Sequence, residues 1–261
     1  MNENNQKSHE KLIIDQFTKQ AVPFANISGH SAEEAIKILI DMAHIRKDDT
    51  ILDGACGPGL LVCALAPFAK HVTGIDLVSA MIESAKKLQA GKELSNVSWE
   101  VGNVLSLPYV NSSYSTVVSR YSFHHFQNSE LVLNEMVRVT KTQGKVAIID
   151  VFALNEEQSD AYDYVEKLRD PSHVHTLTLE ELQGMAIQAG LVNLEVKFYK
   201  VAIELEQQLK ASFPNQESDK DVIRKAVIDD VGIDKLGWGS YQVGKEVHLS
   251  YPIAVIVGEK A

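Results

Sequence analysis

Ile51-Leu52-Asp53-Gly54-Ala55-Cys56-Gly57-Pro58-Gly59-Leu60 runs from an apolar stretch into a glycine-rich turn and on into an amphipathic segment. That order implies a buried strand, a sharp turn and a helix. Glycines let a backbone turn tightly and approach a ligand, and an open helix N-terminus presents N–H groups without intrahelical partners. At the carboxyl end of a parallel strand, this is where α/β proteins hold nucleotides. The spacing departs from the dinucleotide fingerprint, because Gly57 opens G-P-G-L-L-V with no third glycine at the helix-packing position. No Gly-Lys-Ser/Thr follows, so a phosphate-loop reading fails as well. Asp53 stands before the turn, where it can face a cationic or hydroxyl-bearing group.

Outward from this segment, short apolar runs alternate with amphipathic ones between Thr50 and Asp150, the pattern of βαβ units around a parallel sheet. Strands are expected over 50–54, 71–76, 97–102, 115–121 and 145–151, and helices over about 60–68, 79–89 and 130–139, the last stopped by Gly144. Beyond, a polar helix ends at Arg169-Asp170-Pro171, since proline disfavours α conformation at the residue before it. Thr178 starts a further helix with Glu181 as its capping-box partner, and Gly190 ends it. A strand follows over 192–201, a charged helical stretch over 204–231, and a closing strand over 247–257, which Pro252 places near an edge or at its start. The first 49 residues read as two helices, the second capped by Ser31 and carrying the stripe Ala35, Ile38, Leu39, Met42. The expected organisation is a helical cap over 1–49 and one α/β domain over 50–261 with lid insertions at about 152–176 and 204–240.

The other strand tips extend the argument. His71 to Asp76 ends in an acid, and a carboxylate at the tip of the second strand can accept both hydroxyls of a ribose. Val97 to Val104 carries Gly102 and the amide Asn103, which could pair with a purine edge. A glycine turn, an acid and an amide at three successive strand ends point to an adenosine-type ligand.

The runs ILDGACGPGL, TGIDLVSAMIESAKK and VGNVLSLPYVNSSYSTVVSRYSFHHF resemble the class I S-adenosylmethionine-dependent methyltransferases, most closely the small-molecule branch related to the ubiquinone and menaquinone-biosynthesis enzymes. The resemblance covers residues 17 to 151 and, more loosely, 168 to 191. It implies a Rossmann-like seven-stranded, mostly parallel sheet with helices on both faces, an antiparallel final strand and helical lids. It further implies that Asp53, Gly54, Ala55, Gly57 and Gly59 hold the methionine end, Asp76 the ribose, and Gly102, Asn103 and Val104 the adenine. Leu77 and Met81 would pack on the adenosine, and Arg120 and Tyr121 would line the pocket after the fourth strand. Phe17, Phe24 and His30 would lie in a segment folded over the cofactor. Two positions depart from the family pattern: Ala55 replaces a usual glycine and Asn103 a usual aspartate. Alanine is small enough for the turn, and Asn retains a carbonyl that could accept from the adenine amino group.

His124-His125 follows the fourth strand, where the resemblance places substrate-facing residues, and imidazole titrates near neutrality, so either could act as a general base. A packed, hydrogen-bonded pair is the plainer alternative. His173 and His175 alternate in PSHVHT without acids at ligand spacing, so no metal site is expected. Cys56 and Cys63 cannot form a Cys-rich metal cage, and with no basic neighbour visible Cys56 reads as a small buried filler.

Composition bounds the partners. The chain has 261 residues, 35 Asp+Glu against 25 Lys+Arg and a net charge of −10, which disfavours a protein built to neutralise phosphates. Nucleic acid is also disfavoured because Arg120-Tyr-Ser-Phe stands where amino-methylating DNA enzymes carry Asn/Asp-Pro-Pro-Tyr/Phe. No stretch approaches the ~18 apolar residues of a membrane-spanning helix, and no signal-type apolar run opens the chain. The expectation is a cytoplasmic enzyme moving a methyl group from S-adenosylmethionine to a small-molecule acceptor, leaving S-adenosylhomocysteine. The stretch 204–231 would be a lid element or a homodimer surface, although its charged runs Glu204 to Lys210 and Asp219 to Lys225 read more simply as a solvated face. The alternatives are an S-adenosylmethionine-binding protein that transfers no methyl group and an NAD-dependent oxidoreductase.

Overall fold

The computed structural model describes residues 3–25 and 33–261, with side chains for 5–21 and 34–261. The strands are β1 (Thr50–Gly54), β2 (His71–Asp76), β3 (Val97–Val101), β4 (Tyr114–Arg120), β5 (Thr140–Val151), β6 (Leu191–Glu204), β7 (Tyr241–Val243) and β8 (Glu246–Lys260). The helices are α1 (Glu3–Ala25), α2 (Glu33–Ala43), α3 (Leu60–Leu65), α4 (Ser79–Gly91), α5 (Ser129–Val139), α6 (Glu156–Arg169), α7 (Leu179–Gln188), α8 (Leu205–Lys210) and α9 (Asp219–Asp229). Among the described residues the strands form one sheet in the order β3-β2-β1-β4-β5-β8-β6, with β7 paired to β8 off that path. β1 to β5 are mutually parallel, and β8 runs antiparallel to both β5 and β6. The expected seven-stranded order with a reversed last strand is therefore present, and the short β7 hairpin is added to it.

Strands buried on both faces need apolar residues at successive positions, and this sheet uses them in strict alternation. Ile51, Val118, Ile149 and Val255 face one core, while Leu52, Val117, Ile148 and Ile256 face the other. The first core takes Leu39 and Met42 of α2 and Leu61 and Leu65 of α3; the second takes Leu133 and Met136 of α5 and Leu182 of α7. The Thr178–Glu181 capping box at the start of α7 is formed in both directions. Asp170 is extended (φ −137°, ψ 103°), as the following proline requires.

Two local expectations change. Pro252 sits in an interior strand, yet it pairs with Lys200 of β6 one residue before β8 begins to pair with β5 at Ile253 and Val151. β8 has a free edge there, which accommodates a residue without an N–H. Gly144 does not stop α5; that helix ends at Val139, and the glycine lies in an irregularity of β5 between the Thr140 and Lys145 pairings. A Cβ on Gly144 would come within 2.7 Å of the Ser115 carbonyl oxygen.

β1 pairs with β2 on one side and β4 on the other. The chain's path reverses across that gap, and crevices at the carboxyl ends of such switch points are where open α/β sheets bind ligands.

Candidate active site

The turn after β1 is bound to β2 by two hydrogen bonds. Cys56 N donates to Ile75 O at 3.1 Å, and Gly57 N donates to Asp76 Oδ2 at 2.8 Å. Ala55, Gly57 and Gly59 all have positive φ, at 57°, 53° and 79°. The two glycines serve different ends. A Cβ on Gly57 would meet nothing within 4 Å, so that position faces open space. A Cβ on Gly59 would lie 2.4 Å from the Trp99 ring and 2.8 Å from Ala85 Cβ. Gly59 thus performs the close helix-to-sheet packing that the dinucleotide fingerprint assigns to its third glycine.

The turn borders a cleft of about 1280 Å³, counting its open mouth. Asp53, Ala55, Gly57, Asp76, Leu77, Met81, Gly102, Asn103, Val104 and Arg120 line it, as do Tyr121 and His125. Gly54 and Gly59 do not. Cys56 reaches the cleft, but burial, with Asp76 and Asp53 nearby, holds its thiol well above its ordinary pKa, so it remains a neutral filler.

Three acids, Asp53, Asp76 and Glu10, and one cation, Arg120, line the cleft, and the two strand-tip acids are shifted by burial. Burial pushes the Asp53 carboxyl up to about 7, with Arg120 opposing and Asp76 reinforcing the shift. Asp76 is raised to about 6 by burial despite accepting from Val78 N and Gly57 N. Asp53 Oδ1 and Arg120 Nη1 are both buried and lack a partner among the described residues. Unmatched buried polar atoms are costly in an empty protein and valuable in an occupied one. An orphaned carboxylate oxygen beside an orphaned guanidinium N–H suits a ligand with an ammonium and a carboxylate, as an amino-acid end group has. The Asp76 oxygens retain lone pairs for ribose hydroxyls. The residues present therefore fit S-adenosylmethionine.

α1 covers this cleft, and its residues were not legible as site residues except Phe17. His9 Nε2 donates to His125 O at 2.9 Å, Gln16 Nε2 to Phe213 O at 3.1 Å and Gln20 Nε2 to Asp170 Oδ2 at 3.0 Å. Ile13, Phe17 and Ala21 pack on Val78 and Met81. The side chain of Phe24, and His30 and Ser31, lie outside the described residues.

A second cavity adjoins the first, sharing Phe17, Tyr121 and His125 with it. Its walls include Tyr162 of α6, Tyr251 and Ile253 of β8, and Gln208 of α8, so the segments that follow β5 and β6 and the last strand build it. His124 faces this cavity, while His125 stands at the boundary of the two. Asp150, near the tip of β5, accepts from His124 Nδ1 at 2.7 Å and from the backbone N of Phe123 at 2.6 Å and Val151 at 2.8 Å. Burial lowers the His124 pKa, but the Asp150 carboxylate more than offsets this and leaves it above the ordinary 6.5. His125 is held down to about 3 by burial with the neighbouring His124 and stays neutral, its Nδ1–H donating to Ser172 O at 3.1 Å. Asp150 had a sequence signal: like Asp53 and Asp76, it is an acid closing an apolar run.

The PSHVHT stretch is held by one carboxylate. Asp163 accepts from His173 Nε2 at 2.7 Å, His175 Nδ1 at 2.9 Å and Thr176 N at 2.7 Å, and these hydrogen bonds outweigh its burial and keep its pKa far below the usual range. Further in, Glu166 pairs with Arg169, while Glu166 Oε2 and the Tyr251 hydroxyl are buried without a partner among the described residues.

Residues 45–189 match the methyltransferase domain family, a span reaching from before β1 to the end of α7 that contains the turn, Asp76, Asn103, Arg120 and both histidines. The uncharacterized methyltransferase YcgJ of Bacillus subtilis (strain 168) is 26% identical over 208 residues, 79% of this chain and 82% of that protein. The crystal structure of YcgJ has a TM-score of 0.79 at 22% identity, covering 88% of this chain and 99% of that one. Demethylmenaquinone methyltransferase of Lactobacillus johnsonii is 31% identical over 152 residues, 55% of this chain and 62% of that enzyme.

Proposed function

The chain belongs to the methyltransferase domain family, and from that premise we propose that it moves the methyl group of S-adenosylmethionine onto a small aromatic acceptor seated in the second cavity. Family membership stands against the nicotinamide-dependent reading. The observation that supports the reading most is the pairing of the two cavities. The orphaned Asp53 and Arg120 lie in the first, and the His124–Asp150 pair faces the second across the shared Phe17, Tyr121 and His125.

S-adenosylmethionine brings a methyl group already activated on a sulfonium, so the protein's share is alignment, exclusion of water and removal of a proton where the acceptor carries one. Holding two reactants in line contributes roughly 7–11 kcal/mol in favourable cases. Phe17, Tyr121, Tyr162 and Tyr251, with Val151, Val201 and Ile253, give the second cavity walls suited to a planar ring. Its ionised groups are Glu166, Arg169 and Asp170: Glu166 pairs with Arg169 and Asp170 accepts from Gln20 Nε2, so a net negative charge stands beside the aromatic walls. His124 donates through Nδ1 to Asp150, so its Nε2 carries a lone pair that can take the acceptor's proton. Asp150 fixes the tautomer and supports the imidazolium once formed, the role an orienting carboxylate plays in a base dyad.

The test is incubation of the protein with methyl-labelled S-adenosylmethionine and a cell extract, together with calorimetric titration of S-adenosylhomocysteine. Binding of the latter and label in a low-mass, ring-containing product are expected. Binding without any labelled acceptor, or no binding at all, would refute the reading.

A further inference from the structure

The end of the cleft at β3 contains an acid that no strand tip supplies. Glu10 arrives from α1, and its Oε1 accepts from Asn103 Nδ2 at 2.8 Å and from Gln6 Nε2 at 3.3 Å. Asn103 is thereby engaged on both sides, because its Oδ1 accepts from Leu105 N at 3.0 Å. Glu10, Gln6, Asn103 and Leu105 all line the cleft. An aspartate at 103 would offer a carboxylate of its own to a purine amino group. The amide offers less: its single, uncharged oxygen already accepts from the backbone and keeps one lone pair, and its NH2 is turned to Glu10. An Asp at 103 would also place two carboxylates at hydrogen-bond distance, so the amide at 103 and the acid at 10 are chemically matched. Glu10 Oε2 makes no hydrogen bond among the described residues.

We propose that Glu10 is a cofactor-recognition residue, its carboxylate accepting from the exocyclic amino group of adenine while Asn103 and Gln6 orient it. The proposal rests on the use of S-adenosylmethionine argued above. The carboxylate that reads the base then belongs to the covering helix and not to the sheet, so the cofactor itself fastens α1 over the cleft. α1 is otherwise held by a small apolar cluster and a few side-chain hydrogen bonds, which leaves room for one more charge-assisted bond to matter.

The experiment titrates the full chain with S-adenosylhomocysteine and with S-inosylhomocysteine, in which oxygen replaces the exocyclic amine. A carboxylate facing that oxygen repels it, so the wild-type protein should prefer the adenine compound by roughly tenfold or more, the scale of a hydrogen bond to a charged group. Glu10→Ala should lose most of the preference by weakening S-adenosylhomocysteine alone, and Glu10→Gln, which keeps an acceptor oxygen, should retain part of it. Hydrogen exchange along α1 should slow on adding S-adenosylhomocysteine to the wild type, and much less in Glu10→Ala. A merely structural Glu10 would move both affinities together and leave the base preference intact, an outcome that overturns the proposal. Unchanged S-adenosylhomocysteine affinity in Glu10→Ala overturns it as well. Failure of the wild type to bind S-adenosylhomocysteine would instead remove the cofactor assignment, and this inference with it.

Discussion

Asp53→Asn isolates the cost of burying a carboxylate in the cleft of the cofactor-free protein. Asp53 is 1% exposed and makes no compensating hydrogen bond through Oδ1. Burial raises its carboxyl from the ordinary 3.8 to about 7. The native state therefore keeps a proton that the unfolded chain has released, so this group's contribution is fully present below about pH 4 and is lost as pH rises through about 7. Over a little more than three pKa units at 1.36 kcal/mol each, the full loss is about 4 kcal/mol, of which about 3 falls between pH 5 and pH 8. Asp76, raised by burial to about 6, acts in the same direction. Asp163 and Glu166 act oppositely, because their lowered carboxyls lose stability as pH falls, so only the difference between wild type and variant reads out Asp53. Urea unfolding of the cofactor-free protein at pH 5 and pH 8, followed by fluorescence and circular dichroism, measures it. Asp53→Asn should gain on the wild type by about 3 kcal/mol between pH 5 and pH 8. A stability gap that is the same at both pH values would refute the reasoning. An ammonium-bearing occupant stabilises the ionised carboxylate, so S-adenosylhomocysteine should bind the wild type more tightly at pH 8 than at pH 5.5, and this slope should flatten in the variant.

Other outcomes follow from single contacts. Gly59→Ala drives a methyl into Trp99 at a φ of 79°, and overpacking plus left-handed strain should cost about 2–5 kcal/mol by urea unfolding. His124→Ala should lower kcat by about 10²–10⁴ with little change in S-adenosylhomocysteine affinity; equal loss of both would place His124 in the cofactor site. With His124 as base, kcat should rise with pH through a value above 6.5, and Asp150→Asn should move that limb to lower pH. Tyr251→Phe deletes a buried hydroxyl without a partner among the described residues, so the empty protein should gain about 1 kcal/mol while acceptor KM rises. Thr178→Ala breaks the capping box of α7 and should lower the unfolding free energy by about 1 kcal/mol.

Strands β1, β2, β4 and β5 were legible because each carries a short apolar run, as burial on both faces demands. β3 is instead a partly exposed edge strand, marked by the alternate apolar residues Val97, Trp99 and Val101. The cleft-lining residues at the strand tips were legible from the same pattern: Asp53 and Asp76 close apolar runs, and Asn103 follows the third strand. His124 was named as a candidate from its position after the fourth strand, but not its partner, although Asp150 closes β5 in the same manner. Nothing local distinguishes Glu10, His9, Gln16 or Gln20 on α1 from an ordinary solvated helix face. Each acquires a role only through a partner 93 to 197 residues away.

The sequence by itself determined the α/β order, the glycine turn and the acids at the strand tips, because periodicity and turn chemistry are set by near neighbours along the chain. Only the tertiary structure decided that Gly59 is reserved for Trp99, that His173 and His175 are held by Asp163, and that α1, α6, α8 and β8 together wall a second cavity against the first. Those outcomes depend on which distant side chains the folded sheet brings within a few ångströms, a property that no window along the chain contains.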